Sequence, residues 1–232
     1  MGCFRHVRVW PGALRVIHWV NALCVLALIP LGLFILASEL LEFPEEGVGS
    51  LIDVHAAIGF ILASGAAARI IYLFTGPPPV NWKDVVPHTK AQMGLLWATL
   101  RYYAGGFRGK APLYLTHNPI AGLFDTLLFI AFVTQAASGT ALFAFHEGAE
   151  EQIAHSAMGH ASGPPEWLEV VHVLGAAYII FFVLAHFAAL AAHDLAERRG
   201  LVSSMISGRK FFSEEEAKEL EGDMKSKGLG PE

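Results

Sequence analysis

Charged side chains and cysteines are both scarce in this chain, and each shortage removes a class of protein. Only 16% of the 232 residues are charged, where a soluble domain carries about a quarter, so a water-soluble globular fold is excluded. The only cysteines are Cys3 and Cys24, too few for a disulfide framework or a thiolate metal motif, so any metal must be held by histidine. Internal repeats are also missing, and no nucleic-acid partner is expected.

What the chain has instead is apolar sequence, at 54% hydrophobic residues and a mean hydropathy of +0.47. Four runs stand out, from about Leu14 to Ser38, Leu51 to Thr75, Pro119 to Phe145 and Trp167 to His193. Each exceeds the roughly 18 residues needed to cross a hydrocarbon layer of about 30 Å. The expected fold is therefore an all-α integral membrane protein, a four-transmembrane-helix bundle. Arg5, Arg8 and Arg15 precede the first run as in a signal peptide, but the run is too long for one and is read as retained.

Two connections lack positive charge, and that sets the direction of the spans. Glu39, Glu42, Glu45 and Glu46 lie between the first two runs, and Glu147, Glu150, Glu151 and Glu166 between the last two, with no Lys or Arg beside them. The N-terminal arginines, the middle connection (Lys83, Lys90, Arg101, Arg108, Lys110) and the stretch with Arg198, Arg199, Arg209 and Lys210 are basic. The positive-inside rule then places both termini and the middle connection in the cytoplasm. The middle connection, Gly76 to Asn118, opens on a helix-breaking Gly-Pro-Pro-Pro. Within it, Thr89 to Tyr103 carries Met93, Leu96, Trp97 and Leu100 at helical spacing, an amphipathic helix for the cytoplasmic membrane surface. Residues 1–212 form the membrane domain. Residues 213–232 form a charged cytoplasmic tail, read as a solvated helix that frays.

Inside these runs stand His18, His55, His172 and His186. His172 and His186 are fourteen residues apart in one run, close to four helical turns and about 21 Å, so their rings leave the same face. With alternating span directions, His18 and His186 share a cytoplasmic-side level and His55 and His172 an outer one. Two such pairs suit two haems with both axial positions filled, an electron-transfer arrangement built between facing helices. Gly32 follows His18 by fourteen residues, and Gly59, Gly65, Gly139 and Gly175 punctuate the spans, giving room for a haem or simply close helix packing. Arg69 follows His55 by fourteen residues, at the inner level, to meet a haem propionate or to snorkel to the interface. His193 competes with His186 but is read as interfacial beside Asp194. His6 and His88 are read as solvated, and His146, His155 and His160 form an outer cluster for a partner or a metal.

With these residues in place, the chain resembles the di-haem cytochrome b subunit of membrane-bound [NiFe] hydrogenases and, more distantly, that of respiratory formate dehydrogenases. The resemblance rests on Arg15 to Leu23 (RVIHWVNAL), His55 through Arg69 to Tyr72, and His117 to Ala121 (HNPIA). It continues in His172 to Gly175 (HVLG), His186 and Val202 to Phe211 (VSSMISGRKF). The chain departs from that family in having Pro11-Gly12-Ala13 in place of Glu-Ala-Pro, and in a short outer loop before the last span. The resemblance implies two b haems on the four histidines in a bacterial inner membrane. It also implies a quinone beside the cytoplasmic-side haem, near Asn118, His117, Gly122 and His186. The implied partner is the iron–sulfur subunit of a hydrogenase on the outer face. A formate dehydrogenase, another molybdenum enzyme or a c-type cytochrome is the alternative donor, and a stand-alone quinone oxidoreductase a further one. A transporter or structural bundle using the histidines as polar contacts is the rival of another class.

Overall fold

The computed structural model describes residues 4–41, 47–155, 163–197 and 201–229. In chain order they form strand β1 (Phe4–Arg8), helices α1 (Gly12–Leu40) and α2 (Val48–Thr75), a 3₁₀ turn (Pro78–Val80), α3 (Trp82–Val85), α4 (Lys90–Ala104), α5 (Pro119–His155), α6 (Glu166–Glu197), α7 (Leu201–Ser207), β2 (Arg209–Ser213), α8 (Glu214–Glu219) and α9 (Glu221–Ser226). Glu42, Glu45, Glu46, His160, Arg198 and Arg199 lie outside the described residues, as do the side chains of Glu150, Glu151 and His155.

Gly12–Leu40, Val48–Thr75, Pro119–Gly148 and Glu166–Ala196 are long and apolar enough to cross a membrane. Their backbone groups are satisfied within each helix, and apolar side chains such as Leu23, Phe74 and Leu184 point outwards, as a lipid solvent requires. Each helix runs a few residues beyond its apolar core. Glu147, expected in a loop, is therefore helical, and Pro30 lies inside an uninterrupted α1. At the start of α5, Asn118 Oδ1 accepts the Ile120 N–H at 2.9 Å while Pro119 takes the first helical position.

The chain divides into two compact units. One comprises Trp19–Ala67 and Leu128–Phe181, segments of the four long helices with the two acidic connections. The other comprises Met1–His18, Ala68–Leu127 and Phe182–Glu232, and so holds both ends of the chain and the middle connection. In this second unit β1 pairs antiparallel with β2, Phe4 opposite Ser213 and Arg8 opposite Arg209. The ribbon is absent from the sequence-based expectation of helices alone. Gly208 makes the turn into β2 with a left-handed φ of 83°, and its carbonyl accepts Val9 N at 2.8 Å and Trp10 N at 3.0 Å.

The tail corrects a second expectation. It is helical, but one of its faces is buried. Ala217, Leu220 and Met224 are buried with Val7, Val9, Trp10, Leu14, Val80, Leu115 and Phe212 in one core. The run of glutamates hid this, because Phe212, Ala217, Leu220 and Met224 recur only every three to five residues between charges. Ser213 and Glu216 close a capping box that starts α8. Helix α4 forms where expected, with Thr89 and Gln92 as its capping box. Its apolar stripe is split: Leu96, Thr99 and Tyr102 are buried, and Met93, Trp97 and Leu100 are exposed.

Candidate functional site

The unit of helix segments alone contains His55 on α2 and His172 on α6. Their ring centroids are 6.3 Å apart, with the planes at 66°. Each ring lies against a glycine of a further helix. A Cβ on Gly32 of α1 would stand 3.1 Å from His55 Cε1, and one on Gly139 of α5 would stand 3.1 Å from His172 Cε1. Of the other punctuating glycines, Gly65 faces Asn21 and Gly175 faces Gln135, as close packing requires, and Gly59 meets nothing within 4 Å.

Ser138 Oγ lies 2.7 Å from the Thr134 carbonyl and 2.9 Å from His172 Nδ1. With its hydroxyl proton given to the carbonyl, Ser138 accepts from Nδ1–H and leaves the lone pair on Nε2, the form that binds a metal. Gln135 Nε2 donates to the His172 carbonyl at 2.6 Å and ties the same turn to α5. On the other side, His55 Nδ1 is buried with no hydrogen-bond partner.

In the second unit, His18 on α1 faces His186 on α6 with centroids 6.5 Å apart and planes at 51°. Phe182 stacks on His186 at 5.8 Å and 12°. Two imidazoles sharing one metal, with bonds of about 2 Å and centroids ~1.1 Å behind each nitrogen, require roughly 6.3 Å between centroids. Both pairs meet that requirement, and a direct imidazole–imidazole hydrogen bond would bring the rings closer. The residues fit an iron held between each pair. Among the described residues there is no group of three or more metal-ligating side chains. His146 of the outer cluster has Nε2 4.0 Å from Asp53 Oδ1.

Arg69 is buried, and its Nη1 donates to the Val80 carbonyl at 3.2 Å. Asp125, on the first turns of α5, is its electrostatic partner and also faces His117 and His186. Sequence reasoning missed Asp125, although a lone carboxylate in an apolar span is itself a signal.

His117 and Asn118 leave the start of α5 for different partners. His117 Nδ1 lies 2.7 Å from Asp84 Oδ2, while Asp84 Oδ1 accepts Thr116 Oγ1 at 2.6 Å and also pairs with Lys227. Burial alone would raise the Asp84 carboxyl. The His117 hydrogen bond and charge, with Lys227, outweigh burial and hold it below the usual aspartate value. Lys210 is buried over Trp10, its Nζ donating to the carbonyls of Leu115 at 3.1 Å and Thr116 at 2.7 Å. Asn118 Nδ2 donates to the Tyr103 hydroxyl and, at 3.2 Å, to that of Tyr114. Tyr103 in turn lies 2.6 Å from Nε2 of His193, which is buried. Gly122 faces the Val85 carbonyl, where a Cβ has no room.

A family model described as prokaryotic cytochrome b561 matches residues 9–208, which include all four histidines. The chain belongs to the prokaryotic cytochrome b561 family. A probable Ni/Fe-hydrogenase B-type cytochrome subunit of Azotobacter chroococcum mcd 1 is 31% identical over 219 residues, 90% of either chain. That of Azotobacter vinelandii is 30% identical over 220 residues, again 90% of either chain. The probable Ni/Fe-hydrogenase 1 B-type cytochrome subunit of Escherichia coli K12 is 24% identical over 215 residues, 86% of this chain and 88% of the relative. No solved structure matches. As a cytochrome b561 with four helices fit to cross a bilayer, this is a multi-pass protein of the bacterial inner membrane and a haem b protein of membrane electron transfer.

Proposed function

We propose that this cytochrome b561 is the membrane anchor and electron-transfer subunit of a [NiFe] hydrogenase, carrying electrons from an outer-face iron–sulfur subunit to a quinone. Two b haems would be held by His55 with His172 and by His18 with His186. The observation that carries this is the double match of centroid separations, 6.3 Å and 6.5 Å, to one iron between two imidazoles. When bound, each haem would supply one-electron chemistry. Ser138 holds His172 in its ligating tautomer, and Gly32 and Gly139 leave the space that each outer ring occupies. Arg69 offers a buried cation for a propionate.

The pair in the unit with both chain ends and the middle connection is the cytoplasmic one, because those segments carry the Lys and Arg excess. Helix α4 lies along that surface, residues 1–212 form the membrane domain, and residues 213–232 form its charged cytoplasmic tail. The quinone sits by Asn118, with His117, Gly122 and His186 around it. The hydrogenase as donor rests on the relatives' names and on the acidic, lysine-free outer connections.

A pyridine haemochrome assay on purified protein is expected to give two haems b per chain. His172→Ala is expected to leave one haem and to abolish quinone reduction. A variant that keeps both low-spin haems, or a colourless wild type, overturns the assignment.

A further inference from the structure

We infer that Tyr103 and His193 are the proton-donating pair for quinone reduction, an inference that rests on the quinone lying beside Asn118. The orientation of Asn118 is fixed, since its Oδ1 accepts the Ile120 N–H at 2.9 Å and its Nδ2 must therefore face the phenols. Tyr103 oxygen accepts from that amide, and His193 Nε2 stands 2.6 Å from the same oxygen. A phenol has two lone pairs and one proton, so an oxygen receiving both the amide and an imidazole Nε2–H is set up to give its own hydrogen onward.

The location supports a role in chemistry. His193 is 5% exposed and lies seven residues after His186 on α6, two turns and about 10 Å along the same face. Its charged neighbour, Asp194, is turned to the backbone, Oδ1 accepting Leu201 N at 3.1 Å. A separate observation marks the same spot. Phe107 has a φ of 61°, the sole left-handed non-glycine among the described residues, and a bulky residue rarely adopts that conformation. The strain holds its ring 5.1 Å from Tyr103 and 5.5 Å from His193, walling the pair with an aromatic face.

The step balances as follows. A quinone accepting two electrons from the hydrogenase by way of the haems needs two protons. For each, the Tyr103 O–H bond breaks as an O–H forms on the quinone, and the phenolate takes the Nε2 proton of His193. His193 is then reprotonated from cytoplasmic water.

The test uses full-length haem-loaded protein in nanodiscs, with decylubiquinone as the probe. Equilibrium binding is read by calorimetry on oxidised protein. Proton transfer is read by stopped-flow reoxidation of stoichiometrically reduced haem, in H₂O and D₂O. Tyr103→Phe keeps the ring and its packing, and His193→Gln keeps a polar side chain. Both are expected to retain wild-type haem content and a Kd within about twofold. Both should reoxidise about tenfold or more slowly, with an enlarged solvent isotope effect, the scale of a lost general acid. Variants within about twofold of the wild-type rate overturn the proposal alone. So does a rate loss matched by an equal loss of binding, which makes Tyr103 a binding group. Haem-loaded wild type that decylubiquinone does not oxidise overturns the underlying reading as well.

Discussion

The hydrogen bond between Ser138 and His172 Nδ1 makes Ser138 a sensitive position. Removing it with Ser138→Ala leaves Nδ1–H without its acceptor and the ligand less basic. With a haem on each proposed histidine pair, one of two midpoint potentials in a redox titration is expected to rise while the other stays fixed. Gly139 is as constrained from the other side, because a methyl group there would press on His172 Cε1 from 3.1 Å. Overpacking of that kind costs about 1–3 kcal/mol. Gly139→Ala should lower the haem-to-protein ratio from the proposed two towards one, with Gly32→Ala acting likewise through His55. Asp84 gives a pH dependence. Its carboxyl is held below the ordinary value of about 3.9, so it contributes stability above that value and loses it as pH falls through the depressed one. Hydrogen-exchange protection around Thr116 and Lys227 should fall as the pH drops below about 4. In Asp84→Asn, protection should be lower at neutral pH and flat across that window.

At the scale of elements, the long helices and the facing of their histidines were legible because an apolar run and a fourteen-residue interval survive without knowledge of the tertiary structure. The β1–β2 ribbon was not. Its two five-residue strands are short, rich in arginine and aromatic residues, and each becomes a strand only through a partner some two hundred positions away. The same holds for Tyr103 and His193, ninety residues apart, whose hydrogen bond no local pattern announces. The tail was misread because its six glutamates outweigh Ala217, Leu220 and Met224 in any local average, yet those three enter the core. Leu220→Ala removes part of that core at a cost of about 2–3 kcal/mol, and exchange across residues 209–229 should quicken accordingly. The haem content of the variant should be unchanged.

For the whole molecule, the distribution of charge decides orientation, and cysteine labelling can check it. In a background with Cys3 and Cys24 replaced by serine, Glu39→Cys should react with an impermeant maleimide in intact spheroplasts. Ser226→Cys should react only after permeabilisation. Both positions are solvent-exposed, so a reversed pattern inverts the topology and exchanges the two ends of the electron path. The ribbon that joins β1 to β2 also orders events in time. The ribosome releases Phe4–Arg8 long before Arg209–Ser213 exists, so the early strand waits with an open edge until every span has been threaded into the bilayer. Closure of this clasp is thus a late step of biogenesis, and a nascent chain stalled before residue 209 would expose that edge to chaperones or proteases.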